Sequence, residues 1–430
     1  ATNGDDTTAA VAYPAVQLFL QSAQRSTPRF HLTTENQAAV VRICQLVGGM
    51  PLALELAASW VTMLSAAEIG VEIAGSLDFL EAEIHDLPTR HQSVRALLDV
   101  VWQQLNAAER AIFTRFAIFQ GGFTRQAVHE VAGASLHTLR SLTTNLLIHY
   151  DETHGRYSSH ELLRTYGVEQ LTAQPSVYRE MQERHGRYYC TLLQQLAPEL
   201  KGERQQVAFA ELAAEQANLQ AAWTWAVVEM RLALLEQAIA GMGHLYAWMG
   251  NQSDGTRIFE TLVQRLDVQV GNPANQSADA PAEQRNADAA QGRTYRLLAE
   301  GLAWLAHFTL MAGQVDQAEV QLQHSFALLD QAAALGVDCR GQRAQALLHW
   351  GHLERPHDLP AAVQAYTQSR ELYAQLDLAW DHAYATSWLG EAQHLIGQQE
   401  AAIALLTEAR SAFAILGDQR NVARVLATIA

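Results

Sequence analysis

A chain of 430 residues exceeds the usual size of one hydrophobic core, so we expect two or three domains. Hydrophobic residues make up 49% and charged residues 17%, a balance that excludes a largely disordered chain. The net charge of −16, with no clustered basic segment, disfavours binding to phosphate backbones or to anionic lipid.

The first twelve residues are predicted to form a disordered leader, because they have neither the basic nor the apolar region of a secretion signal. No apolar run reaches membrane-spanning length. Cys44, Cys190 and Cys339 lie far apart and match no metal-binding spacing. Cys44 and Cys190 lie in apolar helical patterns, so we expect buried thiols in a reducing, cytoplasmic compartment. The sequence stops inside a helical pattern, NVARVLATIA, which we interpret as a truncated repeat of a longer protein.

Residues 13–85 carry apolar residues at helical spacing and are predicted to form a helical domain. Gly48–Gly49 ends one predicted helix and Pro51 begins the next. Proline is favoured in a first helical turn because its missing N–H would be unpaired there in any case. On these residues alone, Pro51 is a structural residue.

Residues 86–172 predict four short helices followed by a β-hairpin, in which LLIHYD and RYSSH are the strands and ETHG is the turn. Helices followed by a two-stranded wing are typical of a winged helix. The fourth helix, SLHTLRSLTTNLLI, offers only Arg140 as a permanent cation, so we expect a packing module and no direct DNA binding.

Residues 173–267 are predicted to be helical, and residues 268–292 to form a flexible connection because they are polar and weakly apolar. Residues 293–430 contain an internal repeat of helical hairpins, of the tetratricopeptide (TPR) kind. The repeats align on the small residues Gly243, Ala306, Gly351 and Gly390. The second helix carries a matching small residue, supplied by Ala318, Ala362 and Ala402.

The alignment places a histidine after three of the small residues, at His244, His307 and His352. This position is expected to face the concave groove of the repeats. The further groove candidates are Glu300, Arg355, Tyr384, Glu391 and His394. Two interpretations stay open, a polar hydrated surface and a ligand site. A shared metal is not expected, because neighbouring helices lie about 8–10 Å apart, whereas zinc ligands lie about 2 Å from the ion.

A phosphate-binding P-loop requires a lysine followed by Ser or Thr at the end of a Gly-rich loop. The only lysine of this chain, Lys201, is followed by Gly202 and lies in no such loop. The segment HELLR differs from the HExxH zinc motif. We therefore expect neither a complete nucleotide site nor a catalytic site in this chain.

Four segments, in this order, resemble signal-transduction ATPases with numerous domains (STAND proteins), and among these the bacterial AfsR/MalT-like regulators with a TPR sensor. The segments are GGMPLALELAA, LPTRHQSVRALLDVVWQQL, ERAIFTRFAIFQGGFT and RYSSHELLRTYGVEQL. The resemblance implies an all-α fold in which a helical arm domain (13–85) precedes a winged helix (86–172) and a TPR-like superhelix. It also implies an upstream nucleotide-binding domain that is missing here.

Two residues acquire a role through this resemblance. Pro51 matches the proline of the GxP motif, which in relatives packs near the adenine. His160 matches the histidine of the MHD motif, which in relatives reaches towards the β-phosphate of ADP, although Ser159 and Glu161 replace the flanking Met and Asp. Without the resemblance, His160 would be a residue at a helix N-terminus.

The function that we predict is regulatory. The superhelix would bind an unknown inducer, protein or peptide, and the other two domains would transmit this event to the missing ATP-binding domain, whose ADP-bound form is the resting monomer. This chain alone would hold no cofactor, and the longer protein would bind ADP or ATP. The alternative is a TPR scaffold that binds proteins without switching.

Overall fold

The computed structural model describes residues 13–75, 94–145, 147–270 and 281–429. The fold is all-α with one small sheet, and the chain divides into two compact units after His185. Within the described ranges, none of the helices is both long and apolar enough to cross a membrane. The predicted disordered leader, residues 1–12, lies outside the described residues.

The first unit begins with four helices around a shared apolar core. Their bounds are α1 (Pro14–Ser26), α2 (Gln37–Leu46), α3 (Pro51–Ser59) and α4 (Ala66–Gly75). Phe19, Ile43 and Leu54, from the first three helices, are fully buried. Helices α1 and α3 both start with proline, whose fixed φ suits a first turn.

The rest of the first unit combines short helices with three strands. The elements are α5 (Val94–Gln104), α6 (Ala107–Phe116), β1 (Phe123–Thr124), α7 (Arg125–Ala132), α8 (Leu136–Thr144), β2 (His149–Asp151), β3 (Arg156–Ser158) and α9 (Glu161–Thr172). Asn106 and Glu109 form a reciprocal capping box at the start of α6. The Thr124 hydroxyl accepts a hydrogen bond from Ala127 N at 3.1 Å and caps α7.

The small sheet contains the predicted hairpin and one strand that the sequence did not predict. Strands β2 and β3 pair antiparallel, with Tyr150 opposite Tyr157. Strand β1 adds to the other edge of β3, with Phe123 opposite Tyr157, giving the order β1-β3-β2. The prediction missed β1 because two residues are too short to show alternation.

Helix α10 (Pro175–Leu196) crosses the boundary and leads into the second unit. A 3₁₀ turn (Pro198–Lys201) and eleven described helices follow: α11 (Gln205–Ala214), α12 (Gln216–Val228), α13 (Leu232–Met249), α14 (Gln252–Val270), α15 (Pro281–Met311), α16 (Val315–Ala334), α17 (Arg340–Glu354), α18 (Leu359–Gln375), α19 (Ala379–Leu395), α20 (Gln399–Leu416) and α21 (Gln419–Ile429). Successive helices pack as antiparallel hairpins, most extensively α15 with α16, α17 with α18 and α19 with α20.

The prediction of a flexible connection at residues 268–292 is wrong for the residues of this range that the structure describes, because 268–270 and 281–292 are helical. Helix α14 continues to Val270 and α15 already begins at Pro281. The long N-terminal extension of α15 is anchored near Gly292, where an added Cβ would lie 2.6 Å from Val337 Cγ2. The segment is polar, but it is rich in Ala, Gln and Arg, residues whose intrinsic propensity favours helix. Residues 271–280 lie outside the described residues.

All three cysteines are buried, as predicted for Cys44 and Cys190. Burial raises the pKa of the Cys44 thiol to about 11 and that of Cys190 to about 12. At neutral pH both are thiols, which are poor nucleophiles compared with thiolates.

The small residues of the repeat lie where helices cross closely, as predicted for the later repeats. A Cβ at Gly351 of α17 would lie 2.5 Å from the ring of Tyr366 in α18, and one at Gly390 of α19 would lie 2.8 Å from Leu406 in α20. Gly243 differs, because its close neighbour is Trp304 of α15, outside its own hairpin. Ala318, Ala362 and Ala402 are buried at the matching positions.

We expect Gly351→Ala to lower the free energy of unfolding of the second unit by about 1–3 kcal/mol, because the new methyl group overlaps the buried Tyr366 ring. Gly341→Ala in the same helix is the matched control. Its Cβ would lie 3.8 Å from Leu376, and without overlap the change should be neutral or stabilise by up to about 1 kcal/mol. Urea denaturation of both variants measures the difference, and equal stability would contradict the assigned register.

The two ends of the second unit meet at a segment that we call the clasp, residues 198–204. Lys201 Nζ donates a hydrogen bond to Asp381 Oδ1 of α19 at 2.7 Å. The clasp also packs at the end of α20, where a Cβ at Gly417 would lie 2.7 Å from Glu203 Cβ. Contacts between residues about 180 positions apart close the stack of hairpins on itself.

Candidate functional site

In the first unit, His160 packs against the loop that ends α2. It occupies the N-cap position of α9, and its Nδ1 accepts a hydrogen bond from Leu162 N at 3.2 Å. The other ring nitrogen, Nε2, lies against Gly48, where an added Cβ would be only 1.6 Å away. Gly48 has φ +57°, a conformation that favours glycine.

The two sequence-predicted residues of this region therefore lie around one loop. Gly48 contacts His160, and Pro51 begins α3 three residues later, with an exposed side chain. His160 Nε2 is buried and, among the described residues, has no hydrogen-bond partner. Burial lowers the pKa of His160, and nearby Glu161 only partly opposes this shift. The imidazole is thus neutral at pH 7 and keeps one nitrogen available.

The second unit contains a cavity of about 440 Å³, partly open to solvent, between the first helices of its hairpins and the clasp. This volume is in the usual range for small-molecule sites. Seven Phe, Tyr and Trp side chains line it: Tyr246, Trp248, Trp304, Phe308, Tyr373, Trp380 and Tyr384. Most of the lining comes from α13, α15, α17, α19 and α21, so residues far apart in the sequence meet here.

Four histidines line one side of the cavity. The aligned residues His244, His307 and His352 are joined by His349, whose ring centroid lies 4.9 Å from that of His307 and 6.1 Å from that of His352. Trp304 packs against this cluster, with its ring centroid 5.0 Å from that of His244. The histidines that the repeat alignment placed at equivalent positions therefore lie close together in space.

Burial keeps the imidazoles of this cluster neutral. It lowers the pKa of His307 to about 4, and together with the charges of His307, Arg355 and Arg424 it lowers that of His352 to about 3. The pKa values of His244 and His349 are also depressed, chiefly by burial. A neutral imidazole offers one N–H donor and one acceptor.

Several polar atoms in the cavity wall lack a partner among the described residues. They are Trp304 Nε1, His307 Nδ1 and both ring nitrogens of His349. Trp304 is 3% exposed and His349 is 5% exposed, so these atoms have little access to bulk water. Buried polar groups are nearly always hydrogen-bonded, and a ligand in the cavity would satisfy them.

Charged side chains also line the cavity. Lys201 pairs with Asp381, and its Nζ lies 5.1 Å from the centroid of Trp380. Arg420 lies over Trp248 at 4.7 Å. Arg424 lies over Trp388 at 4.9 Å and is paired with Glu391, which also accepts from Arg355.

The structure brings together only part of the predicted groove. His307, His352 and Tyr384 line the cavity. Arg355 and Glu391 lie beside it as an ion pair, connected to the wall through Arg424. His394 is not among the residues that line the cavity: it lies near the end of α19, its side chain is exposed, and its Nδ1 shares a hydrogen bond with Gln399 Oε1.

Sequence reasoning missed several residues of the cavity wall, among them His349, Lys201, Arg420 and Trp380. His349 precedes His352 by three residues, which is the spacing of one helix face, so this residue could have been found. Lys201, Arg420 and Trp380 gave no such signal, because the clasp and the closure of the superhelix bring them in from outside the aligned positions. Glu300, also predicted, lines the cavity and accepts a hydrogen bond from Gln342.

We expect the stability of the second unit to fall as the pH drops from 7.5 to 5. The histidines have lower pKa values when folded than the ordinary 6.5, so below that pH the unfolded chain takes up protons first. His307 alone should cost about 2 kcal/mol by pH 5. Glu300 opposes this trend, because burial raises its pKa to about 7 and its protonation in the folded state relieves a cost.

Urea denaturation at the two pH values measures this dependence. His307→Gln should reduce the loss on acidification, because one depressed imidazole is removed. His324→Gln, which replaces an exposed histidine of α16 outside the cavity lining, is the control. A stability that stays constant from pH 7.5 to 5 would contradict the neutral, buried state of the cluster.

The described side chains include no group of three or more His, Cys, Asp or Glu residues arranged to hold a metal ion.

Comparison with known proteins gives distant relatives. No protein-family model matches the sequence. Proteins of Mycobacterium tuberculosis (strain ATCC 25618 / H37Rv) and Mycobacterium bovis (strain ATCC BAA-935 / AF2122/97), each named "Putative HTH-type transcriptional regulator", are 29% identical to this chain over 279 residues. The match covers 62% of this chain, and the chain spans only about a third of each relative, 31% of its length.

Two further similarities are weaker. An "Uncharacterized protein" of Mycobacterium tuberculosis is 29% identical over 117 residues, which is 27% of this chain and 30% of that protein. Among solved structures, the chain is similar to a Signal Transduction ATPase with Numerous Domains (STAND) protein with a tetratricopeptide repeat sensor from Pyrococcus horikoshii. The identity is 12% and the TM-score is 0.29, with 96% of this chain and 62% of that chain covered.

Proposed function

We propose that this chain is the regulatory and sensory part of a STAND-type signalling ATPase. The second unit binds an inducer in its cavity, and the first unit transmits that event to a nucleotide-binding domain outside this chain. The observation that carries the proposal is the cavity of the second unit, whose wall contains buried polar atoms of Trp304 and His349 without a partner among the described residues. The name of the mycobacterial relatives, transcriptional regulators, supports a regulatory role.

A sensing role requires that binding changes an equilibrium. The clasp offers such an equilibrium, because Lys201 and Asp381 join the beginning of the second unit to α19. A ligand that contacts both Trp380 and Trp304 would stabilise the closed form. Ligand binding would thereby be coupled to the start of the second unit, which follows directly on the first unit in the chain.

The first unit has a feature suited to transmission. His160 is neutral, is fixed at the start of α9 and holds Nε2 against the loop that leads to Pro51. We propose that this interlocked loop and histidine stabilise the resting, ADP-bound form of the longer protein. His160→Ala in the full-length protein should then raise basal activity and weaken ADP retention. Unchanged activity with unchanged ADP retention would exclude this role.

Catalysis by this chain alone is not part of the proposal. Its only lysine, which a P-loop would need, is engaged with Asp381 in the second unit. Calorimetry with ATP and ADP on the isolated chain should show no binding at micromolar concentrations. Micromolar affinity would show that the chain holds a nucleotide site of its own.

A thermal-shift experiment on the purified chain tests the sensing role. Bacterial extract is divided into a small-molecule fraction and a protein fraction. The small-molecule fraction should raise the Tm by several degrees, because a ligand at about 100 times its Kd stabilises by about 2.7 kcal/mol. Tyr384→Ala, in the cavity wall, should abolish the shift, whereas His382→Ala on the same helix should preserve it.

The alternative, a scaffold that binds proteins, gives a different result. In that case the protein fraction alone shifts the Tm, and Tyr384→Ala has no more effect than His382→Ala. Native mass spectrometry of the purified chain provides an independent measurement, because an enclosed ligand should be retained as an added mass. The sensor function would be contradicted if the small-molecule fraction left the Tm unchanged and no added mass were retained.

A further inference from the structure

We propose that the cavity of the second unit binds a small, ring-bearing anion that is rich in hydrogen-bond acceptors. The inference rests on the proposed sensor function and names the chemical class of its ligand. It follows from three features of the wall. They are the balance of fixed charges, the hydrogen-bond donors without a partner among the described residues, and the cation–π contacts that Lys201 and Arg420 make with wall tryptophans.

The fixed charges favour an anion. Three permanent cations line the cavity, Lys201, Arg420 and Arg424, against the carboxylates of Asp381 and Glu300. Burial raises the pKa of Glu300 to about 7, so this carboxyl is partly protonated at neutral pH. Asp381 offsets Lys201 and Glu391 offsets Arg424, which leaves Arg420 as the lining cation without an ion pair among the described residues, in a chain whose net charge is −16. A local positive region in an acidic protein points to a negatively charged occupant.

The hydrogen-bonding groups favour acceptors on the ligand. The indole Nε1 of Trp304 can only donate, and it has no partner among the described residues. A neutral His349, whose two ring nitrogens both lack a partner among the described residues, adds one N–H donor together with one acceptor. The guanidinium of Arg420 can only donate as well, and no ion pair within the described part of the chain contains it. Carboxylate or similar oxygens on a ligand would satisfy these donors.

The aromatic walls favour a ring and disfavour a cation. Trp304 and Tyr384 line the cavity, and a planar group can pack against such aromatic rings. Aromatic cavities also attract cations, but here the protein supplies them. Lys201 lies over Trp380 at 5.1 Å, and Arg420 lies over Trp248 at 4.7 Å. A cationic ligand would have to displace these side chains and would be repelled by them.

Arg420 is the residue that we assign to the negative group of the ligand. Lys201 is held by Asp381, and Arg424 is held by Glu391 and by the Ser387 hydroxyl. Arg420 has a stacking contact with Trp248 but an exposed side chain, which places its guanidinium at the edge of the cavity. There it can pair with an anionic group while the ring of the ligand lies deeper, near Trp304.

Calorimetric titration of the full chain with three matched probes tests the inference. The probes are naphthalene-2-carboxylate, its neutral carboxamide and the cationic naphthalen-2-ylmethanamine, which share one ring system. The carboxylate should bind at least tenfold more tightly than the carboxamide, and the amine should bind weakest. Arg420→Gln should weaken the carboxylate about tenfold and leave the carboxamide unchanged.

Arg257→Gln is the control, because it removes one positive charge from the exposed surface of α14, where Arg257 pairs with Asp254. It should leave all three affinities unchanged. Trp304→Phe, which keeps an aromatic ring and removes the N–H, should weaken both acceptor-bearing probes. Equal affinities of the three probes, preference for the amine, no binding of the carboxylate, or a carboxylate affinity that ignores Arg420 would each overturn the proposed ligand class. The sensor function would not fall with it, since the thermal-shift experiment with unfractionated small molecules assumes no ligand charge.

Discussion

Gly48→Ala should lower the free energy of unfolding of the first unit by about 4 kcal/mol. Two costs add at this position. A non-glycine residue at φ +57° costs about 1–2 kcal/mol. The new Cβ would also lie 1.6 Å from His160 Nε2, so the imidazole must leave its position, and such overpacking costs about 1–3 kcal/mol.

Gly49→Ala is the matched control for this variant. Gly49 has φ +69°, so it carries the same backbone cost, but its added Cβ would lie 3.7 Å from Ala15 Cβ, an ordinary contact. The difference between the two variants isolates the overlap with His160. Native-state hydrogen exchange of α2 and α9 in the intact chain measures both values.

A double variant separates overlap from other effects. Adding His160→Ala to Gly48→Ala should recover most of the overlap cost, because the imidazole that the methyl group meets is gone. Equal destabilisation by Gly48→Ala and Gly49→Ala, or no recovery in the double variant, would show that His160 does not pack on this loop.

Asp418→Ala should lower the free energy of unfolding of the second unit by about 3 kcal/mol or more. Asp418 is fully buried and precedes α21. Its carboxylate accepts hydrogen bonds from Trp380 Nε1 at 2.8 Å, from Asn421 N at 3.0 Å and from Asn421 Nδ2 at 2.7 Å. Removal of the carboxylate leaves these buried donors unpaired, at about 1–3 kcal/mol each before water or relaxation compensates.

Asp358→Ala serves as the comparison, because Asp358 caps α18 in the same way at an exposed position. Its carboxylate accepts from Ala361 N at 3.0 Å, and loss of such a cap costs about 1 kcal/mol. Guanidinium denaturation of the two variants gives the excess due to Trp380 and Asn421. An Asp418→Ala variant that is no less stable than Asp358→Ala would mean that the buried bonds to Trp380 contribute little.

The helical periodicity predicted the fold class well because amphipathic helices express their packing locally. The hairpin with Gly155 in its turn was predicted because its strand and turn pattern is local as well. The close crossings at Gly351 and Gly390 followed from the repeat. The error at residues 281–292 arose from reading a polar composition as a flexible segment. Composition does not show that Gly292 packs beneath Val337, since that contact is made by another helix.

The candidate site was only partly predictable for a related reason. The repeat alignment identifies positions that are equivalent within each hairpin, and it therefore found His244, His307 and His352. It cannot identify residues that meet because the superhelix curves until its ends approach. Lys201 and Arg420 belong to that second group.

The clasp also constrains how this protein can change its length during evolution. Open repeat arrays tolerate gain or loss of a hairpin, because each hairpin contacts only its neighbours. Between Lys201 and Arg424 that freedom is absent. An inserted hairpin would move α21 by at least one helix spacing, about 8–10 Å, and would separate Lys201 from Asp381 and Arg420 from Trp248 together. In relatives that keep this ring, we expect insertions to fall in the turns between helices and the number of hairpins within the ring to be invariant.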